Sequence, residues 1–162
     1  MVALSRTLGR MGVSRRPLVN RPRPRLFLVL SVILAAGLSG CSSVTGPEGL
    51  TSVEVVDLVA GTGAEATVGK TLGVYYIGYL WDKNAPDNKG TIFDSRVSGT
   101  PFSFVLGTGT VIKGWDLGLL GLRVDGLRRL TVPPEQAYGS KGNGSIPGNA
   151  TLIFEVELKS VS

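Results

Sequence analysis

Three short runs carry the side chains best suited to chemistry: Val111-Ile112-Lys113-Gly114-Trp115, Ala137-Tyr138-Gly139 and Ala150-Thr151-Leu152-Ile153-Phe154. They set one Trp at the start of a short helical pattern, with a Tyr and a Phe returning to it from later segments. Upstream, Val74-Tyr75-Tyr76-Ile77-Gly78, Phe93-Asp94-Ser95 and Pro101-Phe102-Ser103-Phe104 supply further aromatics. Aromatics and aliphatics gathered around a single acid make an apolar cup with one polar handle. Such a cup suits a small, uncharged, ring-shaped ligand such as a prolyl side chain.

What is missing narrows the chemistry further. The chain has no His and one Cys, Cys41. A Ser-His-Asp triad and a His-ligated zinc site are both excluded. Asp94 is the only carboxylate in motif context, and a lone acid does not make a glycosidase pair. Catalysis by these residues is therefore expected to be non-covalent, with no metal and no cofactor. One decoy is set aside on context. Ala64-Glu65-Ala66-Thr67-Val68-Gly69-Lys70-Thr71 fits a relaxed phosphate-binding loop. Such a loop must open a helix, whose first amides cradle phosphate, but the residues that follow read as a strand.

The elements that must position the cup are mostly strands. Residues 53–59 mix β-branched and acidic side chains, as an edge strand would. Residues 72–81 form a strong β-branched and aromatic run, 91–94 and 102–106 read as short strands, and 127–132 and 151–161 alternate as strands do. Residues 82–90, dense in Asp, Asn, Lys, Pro and Gly, predict a solvent loop. Only 112–120 reads as a helix, kept short by Gly118 and Gly121. One short helix among several strands predicts an α+β domain in which an antiparallel sheet curls around that helix.

The charge is unevenly spread. The chain carries a net +5, yet its first 40 residues hold seven Arg and no acid, leaving ten basic residues against twelve acids in the remainder. The folded part is mildly acidic, and nucleic acid is not an expected partner. The basic start leads into an apolar run over 26–38, too short to span a bilayer permanently. It ends in Leu38-Ser39-Gly40-Cys41, which resembles a bacterial lipobox. These features predict a signal peptide over 1–40, lipidation of Cys41 as a new N-terminus, a flexible tether over 41–52 and a folded domain over 53–162. The expected location is periplasm-facing or otherwise extracytoplasmic, held to a membrane by the lipid. Ser42 after the Cys favours the outer membrane where a cell has two.

Taken in order, the aromatic motifs from about Val53 to Val161 closely resemble the FK506-binding-protein (FKBP) family of peptidyl-prolyl isomerases. The resemblance implies the FKBP-like fold and peptidyl-prolyl cis-trans isomerase activity assisting the folding of exported proteins. It implies Trp115 as the floor of a proline cup, with Tyr76, Phe102, Val111, Ile112 and Phe154 as its walls. Phe93-Asp94 matches the family's Phe-Asp pair, whose acid accepts a hydrogen bond in the cleft. Tyr138 matches the Tyr whose hydroxyl binds the ligand carbonyl beside the prolyl ring. Ile146-Pro147 matches a loop overhanging the pocket, with Ile146 as an apolar contact. Implied partners are X-Pro segments of unfolded or folding proteins and macrolides like FK506 or rapamycin, met by a monomer. Arg96 does not fall where the best-known members place an Arg paired with that acid, so this ion pair is not expected. A rival reading is a proline-binding module or chaperone with little turnover.

Overall fold

The protein, seen in a computed structural model, is described over residues 46–47 and 49–162. The signal peptide expected over 1–40, Cys41 and most of the adjoining tether lie outside the described residues. Among the described residues, six strands and one α-helix follow in chain order: β1 (Glu54–Val59), β2 (Thr71–Trp81), β3 (Lys89–Arg96), β4 (Phe102–Val105), α1 (Lys113–Gly118), β5 (Leu127–Val132) and β6 (Leu152–Val161). All pairings are antiparallel, in the order β1-β5-β6-β2-β3. The expected α+β architecture is the one observed.

Strand β2 organises the sheet because it is long enough to serve three neighbours. One edge pairs with β6 from Leu72 to Leu80. The other is shared: its first half pairs with β4, from Thr71↔Val105 to Val74↔Phe102, and its second half with β3, from Tyr76↔Arg96 to Trp81↔Lys89. Successive side chains of a strand face opposite sides, so Leu72 and Val74 are buried beneath the helix, and Tyr76 extends the same row. Leu130, Val132, Leu152, Val156 and Leu158 complete this inner layer with no exposed surface. Strand β1 is exposed along its whole length, as an edge strand should be.

Two local readings are adjusted. The helix is shorter than expected, ending at Gly118 rather than 120. Its glycines explain both its brevity and its position. Side chains at i and i+4 share a helix face, and a Cβ on Gly114 would lie 2.4 Å from Val132 Cγ1, one on Gly118 2.7 Å from Leu130 Cδ2. Those bare positions let α1 settle directly onto β5, at the cost of helix propensity. The loop expected over 82–90 is also partly ordered. Pro86–Asn88 make a 3₁₀ turn, and Lys89 and Gly90 already belong to β3. The strand runs on to Arg96, two residues beyond the 91–94 expected.

Candidate functional site

A cleft of about 260 Å³ opens between α1 and the inner face of the sheet. It is lined by Tyr76 from β2, Phe93 and Asp94 from β3, Phe102 from β4, Thr110, Val111, Ile112 and Trp115 at the entry to α1, Tyr138, and Phe154 from β6. Nine of the ten residues singled out from the sequence thus meet at one place, although they are spread over almost eighty positions. Ile146 is the exception. It closes a tight turn by exchanging main-chain bonds with Asn143 at 2.9 and 3.0 Å, and its side chain is buried in the apolar core. It does not line the cleft, which corrects the expectation of an overhanging contact.

Trp115 is the hub. Its ring, 4% exposed, meets Tyr76 at 5.1 Å and 83°, Phe154 at 5.3 Å and 85°, Phe104 at 5.6 Å and 52°, and Phe102 at 6.2 Å and 76°. Three of these contacts are edge-to-face, which aromatic quadrupoles favour. They leave the indole little freedom to turn. Phe93 stands edge-on to Phe154 at 5.6 Å. A Cβ on Gly78 would come within 2.6 Å of Phe93 and 3.1 Å of Phe154, so a bare position on β2 makes room for both rings.

Two contributors are not assigned to the site by the sequence. Phe104 stacks on Phe102 at 5.7 Å and backs Trp115 from the core. Its signal was available, because alternation along β4 puts 102 and 104 on one face. Thr110 lines the cleft beside Val111 and carries no motif of its own.

The polar groups divide their work. Tyr76 donates its hydroxyl to Asp94 Oδ2 at 2.6 Å. Burial first, and then this bond to a carboxylate, push the Tyr76 hydroxyl up to about 12. Among the described residues, the Tyr138 hydroxyl has no protein partner. Arg96 donates to the Thr100 carbonyl at 3.3 Å and forms no ion pair with Asp94. No cluster of three His, Cys, Asp or Glu able to hold a metal is present among the described residues. The site is therefore an aromatic cup with one engaged tyrosine–carboxylate pair and one available phenol. It can hold an apolar ring and donate a hydrogen bond to a carbonyl beside it.

The family model described as FKBP-type peptidyl-prolyl cis-trans isomerase matches residues 63–159. The 39 kDa FK506-binding nuclear protein of Drosophila melanogaster is 51% identical over 110 residues, covering 67% of this chain and 29% of that protein. FK506-binding protein 4 of Gibberella zeae is 45% identical over 117 residues, covering 72% of this chain and 22% of that one. The chain thus spans under a third of the length of either relative. Among solved structures, a peptidyl-prolyl cis-trans isomerase from Pseudomonas syringae pv. tomato superposes with a TM-score of 0.57 at 35% identity, covering 68% of this chain and 75% of that one. The curated relatives correct one expectation. Both are eukaryotic and one is named for the nucleus, which does not agree with an extracytoplasmic protein at an outer membrane. The expected localisation is withdrawn on that finding; Cys41 and the lipid anchor lie outside the described residues.

Proposed function

This chain belongs to the FKBP-type peptidyl-prolyl cis-trans isomerase family, and we propose on that premise that it isomerises X-Pro bonds of unfolded or folding proteins in the Trp115 cleft. The observation that carries the reading is the convergence of the aromatic residues and Asp94 on one small cleft with an unengaged phenol at its side. A monomer is part of this reading. The same cup takes macrolides of the FK506 type, which the curated relatives are named for binding.

The mechanism follows from the polarity of the amide. Rotation must break resonance, against a barrier of about 18–20 kcal/mol. Water stabilises the planar, polar ground state through the carbonyl. A cup of Trp115, Phe93, Phe102 and Phe154 removes that water and favours the less polar, twisted amide. Tyr138 donates to the carbonyl beside the ring, which directs binding energy into the twisted geometry rather than into uniform grip. Asp94 and Tyr76, bonded to each other, hold the opposite wall in place. No bond is made or broken, and no cofactor takes part.

A protease-coupled isomerisation assay on a proline tetrapeptide tests this with the full chain. Activity should be present, and Tyr138→Phe should lower kcat/KM about tenfold, the worth of one hydrogen bond made in the transition state. Its denaturation midpoint should not move, because among the described residues the hydroxyl makes no hydrogen bond. Absence of activity, or an unchanged kcat/KM in the variant, would overturn the assignment. The pH profile offers an independent check. No proton is transferred, and the Tyr76 hydroxyl, at about 12, keeps its proton throughout. The profile of kcat/KM should be flat from about pH 6 to 8.5, with nearly equal rates in heavy and light water. A bell centred near neutrality would show general acid–base catalysis instead.

A further inference from the structure

Between β4 and α1 the chain is held in place by side chains. Asp116, in the first turn of α1, accepts the Gly107 amide at 2.8 Å through Oδ1 and the Gly109 amide at 2.9 Å through Oδ2. Thr108 donates its hydroxyl to the Val105 carbonyl at 2.9 Å, and its oxygen lies 3.3 Å from Thr110 Oγ1. Gly107 and Gly109 adopt φ of 83° and 71°, a region that disfavours other residues. That backbone path is what turns two amides toward one carboxylate. Charge-assisted bonds of this kind are about twice as strong as neutral ones. The loop they secure ends in Thr110, Val111 and Ile112, which form one wall of the cleft.

We infer that Asp116 is a positioning residue: it does not line the cleft, but it fixes the 110–112 wall opposite the sheet, and substrate affinity depends on it. The inference rests on the isomerase reading above and extends it to a residue outside the cup. Its immediate neighbour Trp115 is the floor, so one short helix sets the floor with one side chain and the wall with the next. When the carboxylate is removed, the loop keeps its glycines but loses its shared acceptor, and the wall can move away from the ring it should enclose.

The test measures steady-state isomerisation of a proline tetrapeptide by full-chain wild type, Asp116→Asn and Asp116→Ala, together with binding of the same peptide followed by tryptophan fluorescence. Asp116→Ala should raise KM about tenfold, the loss of two charge-assisted bonds to the loop, while kcat stays within about twofold. Asp116→Asn keeps one accepting oxygen and should fall between the two, which also covers the case in which the Ala variant folds poorly. Peptide binding should weaken in the same order. A fall in kcat at constant KM would indicate only a smaller folded fraction and would overturn the inference, as would a KM in both variants within twofold of wild type. The two readings fail separately. If wild type binds the peptide without turning it over, the isomerase reading falls, and the order of binding affinities still decides the role of Asp116.

Discussion

Trp115→Ala is expected to remove about 3–5 kcal/mol of folding stability, the range found when a large buried aromatic is truncated, and to abolish isomerase activity with it. The indole is 4% exposed and wedged among four aromatic rings between 5.1 and 6.2 Å away, so its neighbours cannot collapse into the space without abandoning their edge-to-face geometry. Each such pair contributes about 0.5–1.5 kcal/mol beyond the area buried. Against a total stability of about 5–15 kcal/mol, the loss is a large fraction. Loss of activity in this variant does not by itself separate floor from core, because a partly unfolded protein is also inactive. Trp115→Phe separates them. Among the described residues, the buried Trp115 Nε1 has no hydrogen-bond partner, so removing it abandons no bond and relieves a desolvated donor. The Phe variant should cost only about 1–2 kcal/mol, the cost of a partial cavity, and stay folded while binding the prolyl ring over a smaller floor. Urea denaturation monitored by circular dichroism, alongside the isomerase assay, reads both quantities. A midpoint for Trp115→Ala close to that of wild type would mean that the indole does not organise the cluster.

The same residues show what could be read from the sequence and what could not. Strands β2, β5 and β6 were legible because β-branched and aromatic residues recur along them and alternate residues, such as Leu72 and Val74, Leu130 and Val132, and Val156 and Leu158, are buried. The cup was legible because its members lie in short, distinctive runs. Phe104 was seen but not placed, since only the fold shows that it supports Trp115 rather than facing ligand. Ile146 was misplaced because its position depends on the turn with Asn143, which is set by main-chain bonds and by Gly142 at a φ of 69° rather than by hydropathy. The sequence pattern predicts too long a helix because Leu119 and Leu120 continue its apolar run, whereas α1 ends at Gly118. Arg128 was not legible at all. It sits in a strand pattern as one polar residue among several, and its partner Asp57 is 71 positions away.

That arginine carries the second large effect. Arg128→Met should lower stability by about 2–4 kcal/mol, somewhat below the ~3–5 kcal/mol for breaking a fully buried pair because Asp57 is half exposed. The guanidinium belongs to a side chain only 8% exposed, and it makes four bonds: Nε and Nη2 to the two oxygens of Asp57 at 2.6 and 3.1 Å, and Nη1 to the carbonyls of Gly118 and Leu120 at 2.9 and 2.8 Å. It therefore ties the edge strand β1 to the end of α1, where carbonyls lack helical partners and a cation complements the helix dipole. The two sides of the network are unequal. The Asp57 side chain is half exposed and regains water when the arginine goes, whereas the Gly118 carbonyl is buried and does not. Asp57→Asn, which leaves the arginine both carbonyls, should accordingly cost about 1 kcal/mol, as for a pair with an exposed partner. A midpoint loss of roughly 10–20 °C for Arg128→Met follows from the size of the domain. The Asp57–Arg128 pair also makes stability depend on pH. The hydrogen bond from Arg128 holds the Asp57 carboxyl below its ordinary value, and outweighs the opposing effect of burial. Its contribution is present above the unfolded value of about 4 and is lost as pH falls through the folded one. Thermal melts at pH 7 and at about pH 3 should therefore differ less for Arg128→Met than for wild type. Equal pH sensitivity in the two proteins, or a larger loss for Asp57→Asn than for Arg128→Met, would show that the arginine stabilises the domain by some route other than clamping the end of α1.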